Sequence, residues 1–163
     1  MINNQNVNMS DLRQPFFDAM YEIAEKDKDV MLLVGDLGFS FMERYQARFP
    51  KQFINCGAIE QSMVGIAAGL ARGGKKPYVY SGAIFAVMRP YEQVRDDIAY
   101  NNTNVKLVGT GASGFLGFTH NLGGTENEED LLKNLPNLKR RYPETKEELK
   151  AAMLLEGPVY IRL

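Results

Sequence analysis

The sequence has one cysteine, one histidine and no tryptophan in 163 residues. With Cys56 as the sole thiol, no disulfide can close within the chain, and a cysteine metal cluster would need other chains. Cys56 and His120 together cannot make a zinc site of the usual kind or a metalloprotease motif, so no metal site is expected in this chain. No apolar run reaches the ~18 residues that cross a bilayer. Met1 to Met9 is rich in Asn and has neither a basic start nor an apolar core, so it does not read as a secretory signal. The default location is the cytoplasm. An excess of either charge is lacking as well. The net charge is −1 and the isoelectric point is near 5.9. That excludes a general electrostatic hold on nucleic acid or on an anionic membrane.

What is present is an ordinary globular composition, 45% hydrophobic and 24% charged, which excludes disorder and collagen-like repeats. The length suits one domain. Residues 1–10 read as a polar arm and 11–163 as the domain. Apolar residues Phe16, Phe17, Met20, Tyr21, Ile23 and Ala24 share a helical face over 12–26, with Ser10 or Asp11 as the cap. Val30–Val34 is an apolar run ended by Gly35, the pattern of a strand buried on both faces. A short helix is expected at 41–49, a strand at 53–56, and a helix from Glu60 to Arg72 closed by Gly73-Gly74. Strands at 78–80 and 105–108 flank a helix at 89–100. Residues 109–127 form a long Gly-rich loop, and loops of this length in compact domains are commonly functional. A helix at 128–135, a short strand at 138–140, a helix at 144–155 and a strand at 158–162 complete the order.

This alternation predicts an α/β fold: a doubly wound, mostly parallel sheet with helices on both faces. Ligands of such sheets bind beyond the carboxyl ends of the strands. The segments there are 35–40, 57–61, 81–85 and 109–120. Gly109-Thr110-Gly111-Ala112-Ser113-Gly114 has the spacing of a dinucleotide loop, but Phe115 to Phe118 make a poor helix start, which argues against that use. Glu60 follows a strand end and opens a helix. A carboxylate there complements the helix dipole, and on pattern alone that role suffices. Met63, Ile66 and Leu70 read as core positions. Tyr91–Gln93 and Arg95–Asp97 read equally well as a solvated helix face. His120 is as consistent with a surface histidine as with a catalytic one.

Three blocks carry a resemblance: NCGAIEQSMVGIAAGLA at 55–71, YVYSGAIFAVMRPYEQVRDD at 78–97 and NVKLV at 104–108. Phe118-Thr119-His120, Leu135-Pro136-Asn137 and Gly157–Arg162 add to it. Together they resemble the pyrimidine-binding domain of the transketolase family, from about Asp11 to Leu163 and in the family's order. The resemblance implies thiamine diphosphate as cofactor. The cofactor reacts as a carbanion that its own aminopyrimidine generates, provided a carboxyl group holds the pyrimidine N1′. Glu60 matches the glutamate of that role. Phe85 matches the aromatic residue that stacks on the pyrimidine, and Ile84 and Val87 would line its pocket. Asp36 matches an acidic residue near the cofactor at the subunit interface. His120 matches the histidine that faces the reacting substrate. Ser40 and Arg162 match positions that hold a substrate phosphate.

Departures from the family pattern bear on the substrate. Gly82 stands where a second Phe is common, Leu116 stands for an Asp that reads a sugar hydroxyl, and Gly111 stands for a second His. A pocket built with Leu in place of a polar partner selects different substrates, which puts ordinary pentose phosphates in doubt. The Gly-Asp-Gly motif with its downstream Asn, which holds Mg²⁺ and the diphosphate, has no counterpart here. Gly35-Asp36-Leu37-Gly38 lacks the Asn. The resemblance therefore implies either one subunit of a split enzyme, with a partner that supplies Mg²⁺ and the diphosphate site, or an excised or degenerate domain. An α₂β₂ heterotetramer is the expected assembly, with the Gly65/Gly69 face of the Glu60 helix as the candidate interface. The expected reaction moves a two-carbon or acyl unit from a ketose, sugar phosphate or 2-oxo acid to an aldehyde-type acceptor. A relative of deoxyxylulose-phosphate synthase or of the ketoacid dehydrogenase β subunit, using pyruvate-type donors, is one alternative. A catalytically silent assembly or regulatory subunit is another.

Overall fold

The computed structural model describes residues 11–111 and 128–163. Within them, β1 (Val30–Val34), β2 (Phe53–Asn55), β3 (Lys76–Gly82), β4 (Lys106–Thr110), β5 (Lys139–Arg141) and β6 (Val159–Arg162) form one parallel sheet in the order β2-β1-β3-β4-β6-β5. The expected α/β doubly wound class is what the backbone adopts. The physical reason is visible along each central strand. In β1, Val30, Leu32 and Val34 enter the core beneath α1 (Arg13–Lys26), while Met31 and Leu33 enter the opposite core. Successive side chains point to opposite faces, so a strand that is apolar throughout needs cover on both. The first core is closed by α1, α2 (Glu43–Arg48) and α7 (Lys146–Met153). The second is closed by α3 (Glu60–Arg72), the helix at 91–100 and α6 (Glu128–Leu132).

Element boundaries follow local chemistry. At the start of α1, Asp11 Oδ1 accepts the Arg13 N–H at 3.1 Å and Oδ2 pairs with the Arg13 guanidinium at 2.7 Å. The N-cap position is Leu12 rather than either expected residue; Asp11 stands one residue before it, and Ser10 lies outside the described residues. Thr145 caps α7 by accepting the Glu148 N–H. Gln52, the one buried residue of the turn at Pro50–Gln52, joins β1 to its neighbours. Its Nε2 donates to the carbonyls of Asp27 at 2.9 Å and Val30 at 3.0 Å. Gln52→Met removes both bonds and leaves buried carbonyls unpaired. Denaturant unfolding should show a loss of about 2 kcal/mol.

Three expectations need correction. Ala83–Val87 is a short helix, α4, where no element was expected. It follows β3 directly, because β3 runs two residues past Tyr80 to Gly82. The expected regular helix at 89–100 is a single turn, α5 (Tyr91–Gln93), that widens into a π-helical stretch over Val94–Tyr100. Ile66 is not a core residue: it is 44% exposed, whereas Met63 on the neighbouring face is fully buried. The polar arm at 1–10 and most of the Gly-rich loop, including Leu116 and His120, lie outside the described residues.

Candidate functional site

The strand order reverses beside β1: the chain moves outward to β2, then returns past β1 to β3. Loops leaving the carboxyl ends of β1 and β3 therefore diverge, and a crevice opens between them. Glu60 sits there. It opens α3 and is only 2% exposed. Its Oε1 accepts a hydrogen bond from Ser81 Oγ of β3 at 3.1 Å. Its Oε2 accepts from Arg89 Nη1 at 2.8 Å, which provides the ion pair that a buried carboxylate requires. Gly35 ends β1 on the other side. A Cβ there would lie 3.0 Å from Ser81 Oγ and 3.3 Å from both Glu60 Oε1 and the Met63 methyl. The absent side chain is what lets the carboxylate and the serine occupy the crevice.

The Arg89 guanidinium also lies over the Phe85 ring, 3.8 Å from its centroid. Glu60, Ser81, Phe85 and Arg89 thus form one group drawn from α3, β3, α4 and the turn after α4. Two of these were expected as site residues. Ser81 and Arg89 were not. Ser81 is the residue that continues β3 beyond its apolar run, and Arg89 stands four residues after Phe85, the spacing at which helical neighbours meet. Those were the signals available for them.

The remaining expected residues are placed differently. Ile84 is half-buried beside Phe85, whereas Val87 is fully buried in the core under α3. Asp36 is exposed in the loop after β1 and accepts from Asn55 Nδ2 at 3.2 Å. Asp36 and Ser40 both have left-handed backbone, with φ of 54° and 72°. That conformation is uncommon for side-chain-bearing residues and occurs preferentially in functional loops. Ser40 borders a small cleft of about 250 Å³ with Gln14, Tyr21 and Arg44. Arg162 ends β6 and pairs through Nη1 with the buried Glu128 at 2.9 Å, with its guanidinium over the Tyr142 ring at 4.5 Å. β1 and β6 stand three places apart in the sheet, roughly 14 Å at the usual strand spacing. Cys56 is half-buried after β2, and burial pushes its thiol above the ordinary value, so it is not an activated nucleophile.

Glu60 and Phe85 suit a flat heteroaromatic ring that has a hydrogen-bonding nitrogen. Among the described residues no group of three or more metal-ligating side chains occurs. No helix among them is long and apolar enough to cross a membrane.

This geometry sets a buried carboxylate beside an aromatic side chain at the switch point of a doubly wound sheet. The chain belongs to the transketolase pyrimidine-binding domain family, whose model matches residues 8–163. It is 36% identical over 164 residues to an apulose-4-phosphate transketolase subunit of Phocaeicola vulgatus, covering 96% of this chain and 52% of that protein. It is 36% identical over 161 residues to a 6-deoxy-6-sulfo-D-fructose transketolase subunit of a Clostridium species, covering 93% and 49%. The 1-deoxy-D-xylulose-5-phosphate synthase of Macrococcus caseolyticus is 32% identical over 157 residues, 91% of this chain and 24% of that one. Among solved structures, a split-gene transketolase described as an inactive β4 tetramer matches with a TM-score of 0.76 and 32% identity, over 93% of this chain and 50% of that one. The chain spans about half the length of the subunit-type relatives it matches.

Proposed function

We propose that this chain supplies the pyrimidine-binding half of a thiamine diphosphate-dependent, transketolase-like transferase that is active only with a partner subunit. The observation that carries the reading is the buried Glu60 at the β1/β3 switch point with Phe85 beside it. When bound, thiamine diphosphate supplies the electron sink for breaking and making a carbon–carbon bond. Glu60 would hold the pyrimidine nitrogen and share a proton with it. Ser81 holds one oxygen of that carboxyl group, which leaves the other, now paired with Arg89, for the ring nitrogen. Phe85 supplies the stacking face, and Ile84 flanks it. Asp36 and its Asn55 partner sit at the rim, where a partner subunit would close the site. The partner contributes Mg²⁺ and the diphosphate site, and an α₂β₂ assembly pairs the two halves. The named relatives include transketolase subunits, which favours this arrangement.

His120 is proposed to assist proton transfer at the substrate. Arg162 is proposed to take an anionic substrate end, and to do so it must exchange Glu128 for that anion. Arg162→Met should raise KM for a phosphorylated substrate about tenfold, the loss expected for a charge-assisted bond. KM for an unphosphorylated donor should stay unchanged in the same steady-state assays.

The test of the whole reading is native capture of the chain from its own cells, with mass spectrometry of what accompanies it. The expected companion carries Gly-Asp-Gly and a downstream Asn. The pair should show transfer that depends on thiamine diphosphate, and the chain alone should show none. Recovery of the chain alone, without cofactor binding, would favour the silent-subunit reading. The synthase-type relative favours a second reading in which pyruvate is the donor. Comparing pyruvate with hydroxypyruvate and ketose phosphates in the captured complex separates the two.

A further inference from the structure

Arg89 makes, in the chain as it stands, the two contacts that the proposed function assigns to the pyrimidine. Its Nη1 donates to Oε2 of Glu60 at 2.8 Å, and its planar guanidinium stacks on Phe85 at 3.8 Å. A flat cationic group and a flat heteroaromatic ring have the same requirements here: a carboxylate at one edge and an aromatic face beneath. The side chain of Arg89 is 45% exposed, so its outer part has room to leave toward solvent, whereas Glu60 has none. Ser81 keeps its own bond to Glu60 whichever partner holds Oε2.

We infer that Arg89 is a displaceable stand-in for the cofactor ring: it neutralises Glu60 and covers Phe85 until a ring binds, and it swings out when the pyrimidine enters. The inference rests on the proposed cofactor and concerns how the chain admits it. A buried carboxylate left without a partner is costly, so a site that waits for its cofactor is stabilised by an internal one. The arrangement makes Arg89 a specificity-determining residue, since only a ligand satisfying both Glu60 and Phe85 compensates for its departure. Competition of this kind weakens apparent affinity by the fraction of molecules already open. If about one molecule in ten is open, apparent affinity is about tenfold below the intrinsic value.

The experiment is calorimetric titration of the captured complex with thiamine diphosphate and Mg²⁺. Wild type is compared with Arg89→Met, Arg89→Lys and the control Arg95→Ala. Arg95 pairs with its neighbour Asp96 on the exposed face. Arg89→Met should bind about tenfold more tightly, because nothing must be displaced. Arg89→Lys, which keeps the charge but loses the flat stack, should fall between, and Arg95→Ala should match wild type. In parallel, the Nε–H resonance of Arg89 in the cofactor-free chain should show a ring-current shift that Phe85→Leu removes. Equal or weaker binding by Arg89→Met would overturn the inference and leave the proposed function intact, as would absence of the ring-current shift. A complex in which neither wild type nor Arg89→Met binds thiamine diphosphate would overturn the proposed function and the inference with it.

Discussion

Glu60→Gln in the assembled enzyme lowers kcat/KM by about 10²- to 10⁴-fold, the range for loss of a positioned proton-transfer group. Glutamine has the shape of glutamate and can still accept from Ser81, so the fold and the crevice persist. What it lacks is an acidic proton and the charge that Arg89 pairs with. The effect should fall on kcat, because Phe85 still offers its face to the ring. Circular dichroism and thermal melting of the variant check that the fold is retained, and steady-state kinetics of the reconstituted complex give the loss. Unchanged activity would make Glu60 a helix-start carboxylate and the chain a silent assembly subunit, since no other buried carboxylate reaches this crevice among the described residues.

At the opposite end of the sheet, Lys106 makes stability depend on pH. It is the first residue of β4 and is buried. Its Nζ donates to Asn104 Oδ1 and to the Gly157 carbonyl at 3.3 Å. Burial is the main cause that lowers its pKa from the ordinary 10.5 to about 8; Glu156 opposes the shift, and Lys139 and Lys76 add to it. A folded-state value below the unfolded one means that the unfolded chain binds more protons between pH 8 and 10.5, so stability rises with pH in that window. Below pH 8 the penalty of a buried ammonium is present in full. Between about pH 7 and 9.5 the wild type should gain about 2 kcal/mol relative to Lys106→Met. Urea unfolding of both proteins across that range measures it. Taking the difference cancels the contribution of the buried tyrosines, among them Tyr45 and Tyr78, whose phenols burial pushes well up. Parallel curves would show that Lys106 keeps its proton at no penalty.

The residues that could be read in advance are those whose role follows from neighbours in sequence. The apolar run at 30–34 required cover on both faces, and the sheet provides it. Glu60 stood at a strand-to-helix junction, the place where such sheets bind ligands, and the family motif around it added the chemistry. Ile66 was misread because helical spacing marks a face without saying whether another element covers it, and α3 leaves that face open. Ala83–Val87 was missed because an apolar run of that length is ambiguous between strand end and helix until the sheet register shows where β3 stops.

The sequence alone therefore determined the class of fold, most of its elements and the family, and it pointed to Glu60 as the carboxylate of interest. All of these rest on local patterning and on motifs that survive being read as a string. Only the tertiary structure decided the pairings: Ser81 and Arg89 on Glu60, and Glu128 on Arg162. The physical reason is that partners 21, 29 and 34 residues apart meet only through strand order and register. No local propensity encodes which of several arginines reaches a given buried carboxylate. That choice is made when the sheet closes and each charge must find a partner or stay in water.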